Sequence, residues 1–392
     1  MKIAFLCNNM KSYNGVERVL SQRLSLLAES GLYDVYLITY NQYGVPFSFP
    51  ISGKVHYIDL ATRYISRCSY HGLYQYIDRF LSKKIYNRTI RRCLKKIDPD
   101  VVTCMDMHLA DLEVVLHLGI RAKKVVECHC GLSAYYTDLM KFTRPIQRYR
   151  QRSLKDKLVY TISKFDKIVV MTKEERDDWG IEDKAVVIPN MLVDYPINVE
   201  ERPLPFCKII SVGRYAYQKG YDILIDSWKI VQERHPEWYL HLYGSRDGDN
   251  GEYRVLQHKI EDSEITNVCL HSATNDIYQH YCESDFYVMS SRYESFGLVL
   301  IEAMSCGLPV VSFDCKYGPL SIVKDSVTGK LVPKNDIVKM ADAICSLIEN
   351  GAERLRMAQN ARKESVKYKP EYIMPLWHEF YKSLAADCPR VS

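Results

Sequence analysis

The chain has 392 residues, 47% of them hydrophobic and 26% charged, the composition of a folded protein with room for two domains of ordinary size. The apolar stretch Ile3 to Cys7 is too short for a signal core and no run approaches a membrane span, so neither a leader nor a membrane-spanning class is expected. Thirteen cysteines without C-x-x-C pairs predict reduced thiols in a cytosolic protein, and the net charge of +5 divides unevenly: residues 1–190 hold 30 Lys/Arg against 20 Asp/Glu, residues 191–392 hold 23 against 28. The basic half is suited to an anionic surface or substrate.

In chain order, near-continuous apolar runs predict strands at Lys2–Cys7, Val35–Thr39, Val101–Cys104, Lys124–Cys128, Lys167–Met171 and Ala185–Ile188. Between them lie stretches with helical apolar spacing, such as Val16–Ser30 and Leu109–Leu118. Such alternation means parallel strands covered on both faces. Residues 191–206, "MLVDYPINVEERPLPF", have three prolines and no helical period, and read as a linker. The alternation then restarts, with strands at Lys208–Val212, Tyr239–Tyr243, Val268–His271, Phe286–Met289 and Pro309–Phe313. Helices are expected at Gly220–Glu233, Arg254–Glu261 and Asn275–Cys282, and the tail is amphipathic through Ile373, Leu376, Trp377, Phe380 and Leu384. The expected architecture is α/β: residues 1–190 and 207–370 form two doubly wound domains, residues 371–392 a closing helix. A ligand cleft is expected at the carboxyl ends of the strands.

Five stretches carry candidate chemistry. In "NNMKSYNGVERVL" (8–20) a strand runs into a polar loop; the G-x-G-x-x-G of a dinucleotide site is missing, but Gly15 lets a ligand approach the backbone. In "VVECHCG", His129 follows a strand at its carboxyl end, either as a structural histidine or as one facing the cleft. Cys128, His129 and Cys130 have no second ligand pair at zinc spacing, and no metal site is expected. In "SVGRYAYQKG" (211–220), Arg214 and Lys219 flank the loop after Gly213. Two cations there are suited to clamping a diphosphate and steadying the charge of a departing nucleoside diphosphate without a metal; solvated loop charges are the plain alternative. "SRDGDNG" offers Asp247 and Asp249, which read as a turn rather than a cation site. Finally, "RYESFGLVLIEAMSCGLPVVSFDC" (292–315) sets Glu294 before Phe296-Gly297 and Glu302 within the helix that follows. A helix start attracts phosphate. Glu302 therefore fits to one side, accepting from paired ribose hydroxyls, with Glu294 on hydroxyls at the other side. The order sugar, phosphate, sugar is that of a nucleotide sugar, although the helix dipole alone also favours an early acid.

These motifs also carry a resemblance. Glu294–Val311 is similar to the E-x(7)-E signature of family 4 retaining glycosyltransferases, and Gly213–Gly220 looks like that family's G-R-x(4)-K-G motif. Asn14–Leu20 resembles its G-G-x-E-R loop, and Val186–Asn190 its strand before the linker. The resemblance implies a GT-B fold, two Rossmann-like domains facing each other across a cleft, with the last helix crossing back to the N-terminal domain. It implies that Glu302 holds the ribose, that Glu294 contacts the donor sugar, and that Arg214 and Lys219 bind the diphosphate. Phe296, Gly297 and Leu298 would present backbone to sugar and phosphate, Gly15 would approach from the N-terminal side, and His129 would sit beside the transferred sugar. Departures are Asn14 for the first glycine of a pair, Leu242–Gly248 where V-G-x-G-P is frequent, and His271 where glycine is common.

The implied activity is retaining transfer of a sugar from a UDP- or GDP-linked donor, with no other cofactor, to a saccharide or lipid-linked saccharide. The departing diphosphate would help deprotonate the acceptor. Basic stretches 81–97 and 141–157 are suited to an anionic membrane surface or are solvated helix faces, and no nucleic-acid motif accompanies them. Rival readings are a GT-B nucleotide-sugar epimerase, a nicotinamide-dependent oxidoreductase, which lacks its glycine fingerprint here, and a non-catalytic sugar-nucleotide or lipid-surface binding protein.

Overall fold

The computed structural model describes residues 1–62, 73–105, 109–129, 145–196, 205–246 and 251–386. Asp247, Asp249, Cys130, residues 141–144 and residues 197–204 of the expected linker lie outside that description. The first half folds around seven parallel strands: β1 (Lys2–Cys7), β2 (Asp34–Thr39), β3 (His56–Asp59), β4 (Val101–Cys104), β5 (Lys123–Glu127), β6 (Lys167–Val170) and β7 (Ala185–Val187). Their order is β3-β2-β1-β4-β5-β6-β7. Alternate residues of β1 serve opposite faces, Ala4 and Leu6 in one buried cluster and Ile3 and Phe5 in the other. Both clusters exist because helices α1 (Gly15–Glu29), α2 (Leu73–Ile97), α3 (Leu109–Leu116), α4 (Pro145–Ile162) and α5 (Lys173–Trp179) connect the parallel strands and cover the sheet.

The second half repeats the plan with six parallel strands: β8 (Lys208–Val212), β9 (Tyr239–Gly244), β10 (Val268–Ser272), β11 (Phe286–Met289), β12 (Val310–Phe313) and β13 (Gly329–Val332), in the order β10-β9-β8-β11-β12-β13. Its helices are α6 (Tyr221–Arg234), α7 (Glu252–Asp262), α8 (Ile277–Cys282), α9 (Leu298–Ser305), α10 (Gly318–Ile322), α11 (Ile337–Glu349) and α12 (Gly351–Ser365). In both sheets the strand order reverses beside the first strand, between β1 and β4 and between β8 and β11. Crevices open at such points.

The final helix, α13 (Pro370–Ala386), leaves the second domain and docks on the first. Its buried residues Ile373, Met374, Trp377, Phe380, Tyr381 and Leu384 join the cluster of Ile3, Phe5, Leu20 and Leu24. Leu376, expected on this stripe, is instead 39% exposed. Met374 and Tyr381 fill the face, and Leu376 falls at its margin. Trp377 also lies flat against the buried guanidinium of Arg23, 4.0 Å from ring centroid to Cζ. Trp377→Ala should destabilise the first domain by about 3–5 kcal/mol, read as a lower urea midpoint by circular dichroism.

Candidate active site

The candidate residues sit in the loops that leave strand carboxyl ends or in the helices that those loops open, most of them next to the two reversals. Gly213 and Arg214 follow β8, and Glu294 lies in the loop between β11 and α9. His129 follows β5, and Gly15 opens α1 after the loop from β1. Gly297 caps α9 with φ +83°, a conformation that favours glycine, and leaves the first amides of the helix without a side-chain cap. Phe296 is buried and Leu298 half-buried beside it.

The loop cations behave differently from one another. The Lys219 ammonium is held 2.7 Å from Glu294 Oε1, which also accepts from the Ser291 hydroxyl at 2.8 Å. The Lys219 stem crosses Gly213 so closely that a β-carbon there would meet Cε at 2.7 Å. Arg214 is exposed and forms no ion pair among the described residues. Of the two cations expected from the sequence to clamp a diphosphate, one is an exposed guanidinium and the other an ammonium anchored on a carboxylate.

Glu302 is engaged across the domains. Its Oε1 accepts from Arg18 Nη1 of α1 at 2.6 Å and its Oε2 from the Tyr281 hydroxyl at 3.2 Å, with the Glu302 side chain only 4% exposed. Arg18 Nη2 reaches Asp194 at 3.1 Å and the Tyr278 hydroxyl at 3.4 Å. Burial alone would lower the Arg18 pKa; Glu302, then Tyr278 and Asp194, outweigh it and hold the guanidinium above its ordinary value. A second interdomain set joins α5 to the loop before α10 and its first turns, with Asp178 accepting from Lys316 and the Tyr317 hydroxyl and Glu174 accepting from Ser321. Arg18, Tyr278, Tyr281 and Ser291 were not among the residues selected from sequence. Arg18 lies within the resemblance to the G-G-x-E-R loop, and that was the available signal.

His129 is steadied by Glu127, whose Oε2 lies 3.3 Å from Nε2. Glu127 is fully buried at the end of β5 and also binds Arg23 at 2.8 Å, so a chain of polar contacts runs from His129 through Glu127 and Arg23 to the Trp377 ring on α13. Burial raises the Glu127 pKa, but Arg23 and then His129 outweigh it and hold the carboxyl below its ordinary 4.5.

Residues 198–364 match the family model for Glycosyl transferases group 1. A Haemophilus influenzae protein known as an uncharacterized glycosyltransferase is 28% identical over 96% of this chain and 98% of its own. The amylovoran biosynthesis glycosyltransferase AmsD of Erwinia amylovora is 26% identical over 96% and 99%. The chain is a glycosyltransferase. Sucrose-phosphate synthase from Thermosynechococcus elongatus shares the fold of this glycosyltransferase with a TM-score of 0.77 at 20% identity, covering 98% of this chain and 99% of that one. Anabaena HepE, solved with UDP-glucose, superposes with a TM-score of 0.70 at 19% identity over 98% and 100%. The two Rossmann-like domains are those of a GT-B fold.

Removing one partner from the glycosyltransferase's buried interdomain pair leaves the other uncompensated. Arg18→Ala should destabilise the chain by about 2–5 kcal/mol, and by clearly less in a Glu302→Gln background; equal losses in chemical denaturation would show the two groups uncoupled. The Glu127 contribution is complete above its ordinary pKa and is lost as the pH falls through the lower folded value. Glu127→Gln should therefore flatten the acid limb of a urea-derived stability profile below about pH 5.

Proposed function

We propose that the enzyme transfers a sugar from a UDP- or GDP-linked donor, with retention at the anomeric carbon, to a hydroxyl of a saccharide or lipid-linked saccharide in surface polysaccharide or glycoconjugate synthesis. What supports this is the grouping of Glu294, the uncapped helix start at Gly297 and Glu302 beside the β8–β11 reversal, with Arg214 and Lys219 on the adjoining turn. In this reading Glu302 accepts the ribose hydroxyls and Glu294 those of the donor sugar. Arg214, Lys219, Gly213 and the backbone of Phe296, Gly297 and Leu298 take the diphosphate and the sugar bound to it. Gly15 faces the donor from the other domain, and His129, steadied by Glu127, lies beside the sugar. The relative AmsD, named for amylovoran biosynthesis, favours a polysaccharide product, and the UDP-glucose of HepE a uridine donor.

The bond from the anomeric carbon to the diphosphate oxygen breaks as the acceptor oxygen bonds to the same face. The acceptor proton passes to the departing diphosphate. No metal or further cofactor takes part: Arg214, Lys219 and the helix start stabilise the leaving group, each contributing about 2–4 kcal/mol if they act as oxyanion donors do. Closing the domains excludes water that would hydrolyse the donor. The enzyme works in the cytoplasm. Lys84, Arg88, Arg91, Arg92, Lys95 and Lys96 are exposed along α2 and rest on anionic lipid. No helix among the described residues is long and apolar enough to cross a membrane.

A matching nucleotide sugar at one hundred times its Kd should add about 2.7 kcal/mol of stability, seen as a raised melting temperature that Glu302→Ala abolishes. The product linkage should keep the donor's anomeric configuration by proton NMR. An inverted linkage, unchanged donor affinity in Glu302→Ala, or release of free epimerised sugar nucleotide would each overturn the reading.

A further inference from the structure

The outer edge of the C-terminal sheet carries a cluster to which the proposed function assigns no role. β9 and β10 pair in parallel with Cys269 beside His241 and His271 beside Tyr243, which sets all four side chains on one face. The ligating atoms of His241, Cys269 and His271 all lie within 4.8 Å of one another. His241 Nδ1 is 2.9 Å from His271 Nε2, and the two rings are parallel to within 3°. Tyr243 packs between the rings of His271 and His280, with centroids 4.4 Å and 4.5 Å away, so the first imidazole is supported from α8. All three candidate ligands are half-buried, reachable by an ion but shielded from bulk water.

The chemistry of the set is selective. Two imidazoles and a thiolate suit zinc and its late first-row neighbours, and do not suit magnesium or calcium. Neutral imidazole and deprotonated thiol are the ligating forms, so binding releases a proton and strengthens as the pH rises. Lys208 opposes an incoming cation, but its ammonium faces Glu283 at 3.6 Å, which offsets the charge. A tetrahedral site with ordinary bond lengths needs nitrogens about 3.3 Å apart and the sulfur about 3.5 Å from each. Opening the imidazole contact by about 0.4 Å and bringing the thiol, which lies within 4.8 Å of both rings' ligating atoms, to about 3.5 Å meets that geometry.

We propose that His241, Cys269 and His271 bind one zinc-class divalent ion that staples the two outermost strands of the sheet, with the fourth position left to solvent. On binding, the Cys269 thiol releases its proton to solvent, and the proton shared between the rings moves to a far ring nitrogen. β10 is an edge strand paired on one side only, where a cross-link between neighbouring strands adds most.

The test uses the full chain, stripped with chelator under reducing conditions and titrated with Zn²⁺ and with Co²⁺. One ion per chain is expected, with a thiolate-to-cobalt charge-transfer band and a rise in melting temperature on adding one equivalent. Cys269→Ser should lose the band, and His271→Gln should weaken binding by more than about a hundredfold, beyond what losing a supporting partner alone gives. Wild-type cobalt spectra without a thiolate band would overturn the proposal without recourse to any variant. So would a zinc titration unchanged in Cys269→Ser, which would place the ion on other thiols.

Discussion

Parallel pairing is the constraint from which the rest of the structure follows. A sheet whose strands all run one way needs a crossover for every connection, here helices in all but the β2–β3 loop, so both faces are covered and all carboxyl ends lie along one rim. Each sheet reverses its order once beside its first strand, and each rim parts there. Residues as distant in sequence as Arg18 and Glu302 meet because both reversals face the same gap.

Burying charge is the second organising feature. Arg23 and Glu127 are almost completely enclosed, and each is tolerable only because the other is present and because Trp377 covers the guanidinium. This places the closing helix under an electrostatic as well as an apolar requirement: α13 supplies six buried side chains and the aromatic face that an enclosed arginine needs. The same carboxylate orients His129, so the seat of the last helix and the posture of a cleft histidine share one group.

Much of the fold was legible because its strands are unusually plain. β1, β4, β8 and β11 occupy the spans that their apolar runs predict, residue for residue. β3 and β13 escaped notice for a physical reason: each pairs on one side only, and "HYID" and "GKLV" mix polar residues or glycine into four positions. An edge strand need not be apolar on both faces, so its pattern fades. At the candidate site, the spacing of Glu294, Gly297 and Glu302 was visible, but the partners of these acids were not. No periodicity says that Arg18 reaches across a cleft to Glu302, or that Lys219 is already committed to Glu294. Those are facts of tertiary meeting, set by topology rather than by local pattern.

The Arg18–Glu302 contact makes one carboxylate serve two masters. Both of its oxygens are already taken, one by the opposite domain and one by Tyr281. A guest that binds Glu302 through hydroxyls must share it with, or displace, a guanidinium that links the two halves. Where donor binding at Glu302, as proposed, competes with Arg18, ligand affinity and interdomain cohesion are coupled, each weakening the other by the same free energy.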